Sequence, residues 1–245
     1  NLQKSGDFIN AEKGYKKLIK ESKIVVNLFA SLGLIYLKTN RKKKAINFFK
    51  KELIVSPNNA VALNNLGLIN LESKKYLIAK NYFLKAIKIS SNPKTLYFLG
   101  QIFTELENFD KAINFYKQSI LLERNADSLC NIGYLYYTLG SLDKAKRNIQ
   151  DAIKTNSTHD AAYNNLGTVF KEQNRFEEAI DAFKKAIKLN PNNSSIYNKI
   201  GYLQNKIQKL EESVSSHQEA FTKRTGINFD SDNELRPATT DFFLE

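Results

Sequence analysis

Apolar residues return along this chain at the spacing of a helix face. Phe29, Leu32, Gly33 and Tyr36 occupy positions i, i+3, i+4 and i+7, the stripe that one side of a helix presents. Polar Thr39-Asn40-Arg41 interrupts it. Ala45, Phe49 and Glu52 then mark a second helix, which Ser56-Pro57-Asn58-Asn59 stops. The same order recurs at Tyr163, Leu166, Gly167 and Phe170, then Ala179, Phe183 and Ala186, then Asn190-Pro191-Asn192-Asn193. The pattern predicts helix–turn–helix units.

Two ladders of small residues show that the unit is copied in tandem. Gly33, Gly67, Gly100, Gly133, Gly167 and Gly201 recur at 33 or 34 residues, and Ala11, Ala45, Ala79, Ala112, Ala145, Ala179 and then Ser213 keep step. The register lays out a half repeat at 1–25 and full repeats at 26–59, 60–92, 93–125, 126–159, 160–193 and 194–227. Thirteen helices follow. The cause of the spacing is steric: helices cross closely only where side chains are small, so the glycine of the first helix is expected to face the alanine of the second.

The order Leu-Gly-x2-aromatic, Ala-x3-Phe, Pro resembles the tetratricopeptide repeat, with Phe, Leu or Tyr standing for its Trp. The resemblance covers about 225 of the 245 residues. It implies an all-α, right-handed superhelical solenoid of antiparallel helix pairs, with first helices lining a concave groove. A solenoid of this kind grows by stacking and serves interaction far more often than catalysis.

Groove positions are those on the first helix that avoid the packing stripe. Two residues before each ladder glycine stand Ser31, Asn65, Phe98, Asn131, Asn165 and Lys199. A carboxamide offers both donor and acceptor to an extended backbone. Asn65, Asn131 and Asn165 are similar to the asparagine ladder in the superhelical repeats of O-linked N-acetylglucosamine transferase; Phe98 and Lys199 interrupt it. The other reading is that Asn is simply abundant here. Tyr97, Phe98, Tyr134 and Tyr137, with Tyr202 further along, make the centre aromatic, either as contact surface for a partner or as packing between neighbouring first helices. The Lys/Asn/Arg carboxylate clamp of chaperone-binding members of the family fits poorly, because Cys130 and Tyr134 stand where Lys and Asn are needed.

Charge changes this picture little. The net charge is +12, with thirteen Lys/Arg against four Asp/Glu in residues 1–60 and one Arg against five acids in 228–245. The run Arg41-Lys42-Lys43-Lys44 holds no aromatics, so it reads as a solvated edge and argues against nucleic acid. Gly-rich phosphate loops, nucleophile motifs and His/Cys/carboxylate metal spacings are missing, so neither catalytic residues, a metal nor a cofactor is expected. His159 and His217 are isolated. Cys130, the single cysteine, reads as a small buried side chain and fits a reducing, cytoplasmic setting.

The ends depart from the pattern. Residues 1–5 read as the end of a helix begun upstream, there is no Met, and no signal peptide is visible, so a piece of a longer protein is expected. No apolar run approaches the ~20 residues of a membrane-spanning helix. In 194–227 Gln204, Ser213 and His217 replace aromatic, Ala and Phe, as at a solvent-facing cap. The acidic, non-repeat tail 228–245, with Phe242-Phe243-Leu244 at its end, is expected to be irregular, a linker or the start of a further domain. Two functions follow: a non-catalytic scaffold that binds a protein or extended peptide in its groove, or the substrate-recruiting arm of a larger enzyme. Repeat arrays in bacterial proteins often precede glycosyltransferase, sulfotransferase or radical-chemistry domains, which would lie beyond residue 245. The pattern gives neither the partner nor the oligomeric state.

Overall fold

The computed structural model describes residues 7–21, 27–225, 227–229 and 235–237. The expected helix end at 1–5 and the apolar finish at 242–244 lie outside them. The chain forms two compact units, Asn1–Ser157 and Thr158–Glu245.

The first unit holds α1 (Phe8–Lys20) and four helix pairs. These are α2 (Leu28–Lys38) with α3 (Lys42–Val55), α4 (Ala60–Glu72) with α5 (Tyr76–Ile89), α6 (Pro93–Glu105) with α7 (Phe109–Leu122), and α8 (Ala126–Thr138) with α9 (Leu142–Thr155). The second unit holds the pair α10 (Asp160–Glu172) and α11 (Phe176–Leu189), then α12 (Ser194–Thr225). The short strands β1 (Ile227–Phe229) and β2 (Leu235–Pro237) pair antiparallel, a two-stranded ladder in the C-terminal segment expected as irregular chain, a linker or the start of a further domain.

Local chemistry sets the helix starts. The side chains of Asn59, Asn92 and Asn125 accept backbone N–H groups at the openings of α4, α6 and α8, and Pro93 fills the first position of α6, where no N–H is needed. His159 does the same for Ala162 of α10, which gives that isolated histidine a capping role.

Inside each pair, the residue sixteen after the ladder glycine fills the notch. A methyl group on Gly33 would stand 2.5 Å from the Phe49 ring, and one on Gly67, Gly100 or Gly167 would stand 2.7, 2.6 or 2.7 Å from Phe83, Tyr116 or Phe183. At Gly133 the filler is Ile149, at 2.5 Å. The glycine therefore faces a large apolar side chain, with the ladder alanine one turn away; the backbone carbonyls of Ala145 and Ala179 would stand 3.1 and 3.0 Å from a methyl group on Gly133 and Gly167. This refines the expectation of glycine against alanine.

Each of the five pairs turns at one left-handed residue seven after the glycine: Asn40, Lys74, Glu107, Gly140 and Asn174. Lys74 and Glu107 adopt this conformation at a cost of about 1–2 kcal/mol. Burying Phe83 or Tyr116 in the glycine notch, a gain of ~1.5–3 kcal/mol, offsets it.

The sixth repeat has no such compensation, and it does not turn. Ser194–Thr225 runs as one helix of 32 residues through Gln208, the position where the left-handed residue would fall. The described residues thus hold twelve helices where the layout counts thirteen. With Ser213 and His217 in place of Ala and Phe, a returning helix would bury little, and nothing lies within 4 Å of a methyl on Gly201.

A charged cluster ties α1 to the first pair. Glu12 accepts from the Tyr36 hydroxyl at 2.9 Å and from Arg41 at 2.6 Å, with the Lys16 ammonium 2.6 Å away. These partners, Lys16 foremost, hold the Glu12 carboxyl down at about 2, although burial works against them.

Candidate functional site

Three successive first helices of the first unit, α4, α6 and α8, frame an open cavity of about 360 Å³. Leu71 and Glu72 come from α4, Gln101, Thr104 and Glu105 from α6, and Asn131, Tyr134 and Leu135 from α8; Lys74, Tyr76 and Tyr116 close it from the turns and second helices. Two of the residues expected from the sequence, Asn131 and Tyr134, therefore meet at one place.

Each wall has a defined chemistry. Tyr134 is 48% exposed, a large amphipathic side chain left on an open face. Asn131 donates its amide to the Tyr116 hydroxyl at 3.3 Å. Burial pushes the Tyr116 phenol up, so it stays protonated. Glu105 accepts from the Tyr76 hydroxyl at 2.9 Å, which raises that phenol. Glu72 is paired with Lys42 of α3 at 2.5 Å. The cavity thus offers carboxylates, carboxamides and a hydroxyl beside an aromatic ring, with no nucleophile–base pair among them.

Other expected positions in this unit are turned partly inward. Phe98 stacks on the core residue Phe83, with ring centroids 5.6 Å apart. Tyr97 packs on Phe98 and Tyr116 at 5.7 Å each and accepts from Gln101 at 3.0 Å. Burial raises its phenol. Both are half-buried, which favours the packing role for this pair of aromatics. Tyr137 is also half-buried, one turn beyond Tyr134. Asn65 is half-buried and donates to the Val61 carbonyl of its own helix at 2.8 Å.

Asn165, Lys199 and Tyr202 belong to the second unit. Asn165 is half-buried. Lys199 reaches back to the Asn164 carboxamide at 2.9 Å and lies over the Phe183 ring. Burial, with a smaller contribution from the like charge of Lys171, pulls its ammonium down. Tyr202 is 61% exposed on α12.

Gln101, Thr104 and Glu105 are absent from the sequence expectation, which named only aromatics, Tyr134, Tyr137 and Tyr202, at positions after the ladder glycine. They stand one, four and five residues after Gly100, on the same helix face. Gln101 and Thr104 hold the places that Tyr134 and Tyr137 hold after Gly133, so reading polar as well as aromatic residues at those places would have found them. The basic run is largely engaged: Arg41 on Glu12 and over the Tyr36 ring, Lys42 on Glu72, Lys44 over Tyr36; Lys43 is exposed. Cys130 is buried.

Comparison with known proteins follows the same lines. Models of the tetratricopeptide repeat match residues 26–59, 60–93, 93–125 and 126–159, then 161–193 and 182–214. The chain belongs to the tetratricopeptide repeat family. Among curated proteins it is 38% identical over 87 residues to the uncharacterized protein ycf37 of Pyropia yezoensis, covering 35% of this chain and 49% of that protein. It is 26% identical over 92 residues to anaphase-promoting complex subunit 3 of Schizosaccharomyces pombe, covering 38% of this chain and 14% of that one. The matched segments thus span at most about half the length of these relatives. Among solved structures, YrrB, described as a TPR protein with an unusual peptide-binding site, aligns with TM-score 0.65 at 22% identity over 75% of this chain and 96% of its own. MamA aligns with TM-score 0.61 at 23% identity over 67% and 97%. The fold class is the all-α superhelical array of these solenoids, a scaffold suited to protein interaction. Among the described residues no helix is long and apolar enough to cross a membrane.

Proposed function

We propose that this chain is a non-catalytic scaffold that binds an extended peptide segment of a partner protein across α4, α6 and α8. The observation that carries the reading is the open cavity of about 360 Å³ in which exposed Tyr134 stands beside Asn131, Gln101 and Thr104. Such a surface combines apolar contact area with groups that pair with a peptide backbone whatever its side chains. The peptide-binding site named for YrrB supports the choice of ligand class. A cytoplasmic setting suits the single buried thiol, and the engagement of Arg41, Lys42 and Lys44 within the fold disfavours a nucleic-acid role.

A random peptide library selected on the full chain tests this, with hydrogen exchange locating the recovered peptide. Protection on the faces of α4, α6 and α8 is expected. Protection confined to α3, α5 and α7, or no recovered peptide at all, contradicts the reading.

A further inference from the structure

Because α12 does not turn, it carries a second periodicity. Ile200, Leu203, Ile207, Leu210, Val214, His217 and Phe221 follow one another at alternate spacings of three and four, a heptad seam with Ile, Ile, Val and Phe at a and Leu, Leu and His at d. The seam begins in the packed part of the second unit, where Leu203 is fully buried, and continues onto its exposed surface: Leu210 is 49% and Val214 55% exposed. Ile207, Leu210 and Val214 line a cavity of about 390 Å³ whose other wall is Phe176 and Glu177 of α11. An apolar stripe of this kind on an otherwise polar helix marks a contact surface.

We propose that the occupant is α12 of a second copy, joined as a parallel, in-register two-stranded coiled coil over Ile207–Phe221. Two features select this partner. Ile and Val at a with Leu at d favour two parallel strands. Charge selects the orientation. Lys206 falls at g and Glu211 at e, five residues on, so a parallel pair sets Lys206 of each copy against Glu211 of the other, twice by symmetry. An antiparallel pair instead sets g against g and e against e, which places like charges together when these heptads face each other. Both residues are already at the seam: Lys206 lies over the Phe176 ring, 4.6 Å from its centre, and Glu211 lines the cavity. His217 is a polar interruption at one d position, a device that fixes register at some cost in affinity.

Sedimentation velocity on the full chain, from about 1 to 100 µM, tests the proposal. A monomer–dimer equilibrium is expected. Leu210→Asp/Val214→Asp abolishes it with helical content unchanged, while Tyr202→Asp, on another face of α12, leaves it intact. Lys206→Glu weakens the dimer roughly tenfold, and Lys206→Glu/Glu211→Lys restores it. Under mild oxidation Val214→Cys crosslinks the two copies, and Gln208→Cys does not. A wild-type chain that stays monomeric at about 100 µM, or a dimer that survives Leu210→Asp/Val214→Asp, overturns the proposal. A dimer in which Val214→Cys fails to crosslink overturns the parallel register.

Discussion

The carboxylate of Glu52, on α3, accepts the backbone N–H of Ala30, in the first turn of α2, at 3.0 Å. The opening of α2 has no side-chain cap of its own, because Asn27 adopts a left-handed conformation there. Glu52 supplies the missing acceptor from the neighbouring helix and places negative charge at the positive end of the α2 dipole. Its other oxygen accepts from Asn59 at 2.8 Å, and Asn59 in turn donates to Asn27 and caps α4.

Glu52 is 2% exposed, so removing the carboxylate leaves buried donors unpaired. Glu52→Ala is expected to cost ~1–3 kcal/mol. Glu52→Gln should cost less, because one acceptor remains while the new amide meets a donor. Urea unfolding of both variants measures this; a Glu52→Ala midpoint equal to wild type contradicts the network.

A paired substitution separates the filled glycine notches from the empty one. Gly133→Ala drives a methyl into Ile149 and the Ala145 carbonyl, an overpacking worth ~1–3 kcal/mol, and Gly133→Leu should do worse. Gly201→Ala meets nothing and gains helix propensity, so it should stabilise by ~0.5–1 kcal/mol. Thermal unfolding reads both. Equal destabilisation by the two alanines would mean that Gly201 packs as the other ladder glycines do.

Glu12 sets an acid limb. Its carboxyl sits at about 2 in the fold against an ordinary 4.5, so its contribution to stability is fully present above about 4.5 and is lost as pH falls from there toward 2. Glu12→Gln should therefore lower stability at pH 7 and flatten its loss between pH 5 and pH 2.5. Urea midpoints across that range test the claim; parallel curves for variant and wild type contradict it.

Much of this architecture is legible in two ladders of small residues, because a glycine notch and a buried alanine tolerate few alternatives. The unturned sixth repeat was foreshadowed by Ser213 and His217. Reading it required knowing that the large apolar residue sixteen after the glycine, rather than the alanine, fills the notch. Glu52 occupies the place that Ala86, Ala152 and Ala186 hold in other repeats. Only the fold shows that the substitution is tied to the missing cap at Asn27. At the site, Phe98, two residues before its ladder glycine, faces Phe83, whereas Tyr134, one residue after its own, faces out, and the repeat pattern does not say which of these two places is left open. That difference is set by packing on the preceding second helix, where Phe98 meets the Phe83 ring.

The most direct measurement of the central claim is titration of groove variants with a peptide recovered by selection. Tyr134→Ala should weaken binding by ~2 kcal/mol or more, as truncation of an aromatic anchor does. Asn131→Ala should cost ~1 kcal/mol, and Lys43→Ala, on the exposed basic edge, should cost little. A series in which Lys43 and its neighbours dominate the affinity while Tyr134 and Asn131 are silent would contradict a binding groove across α4, α6 and α8.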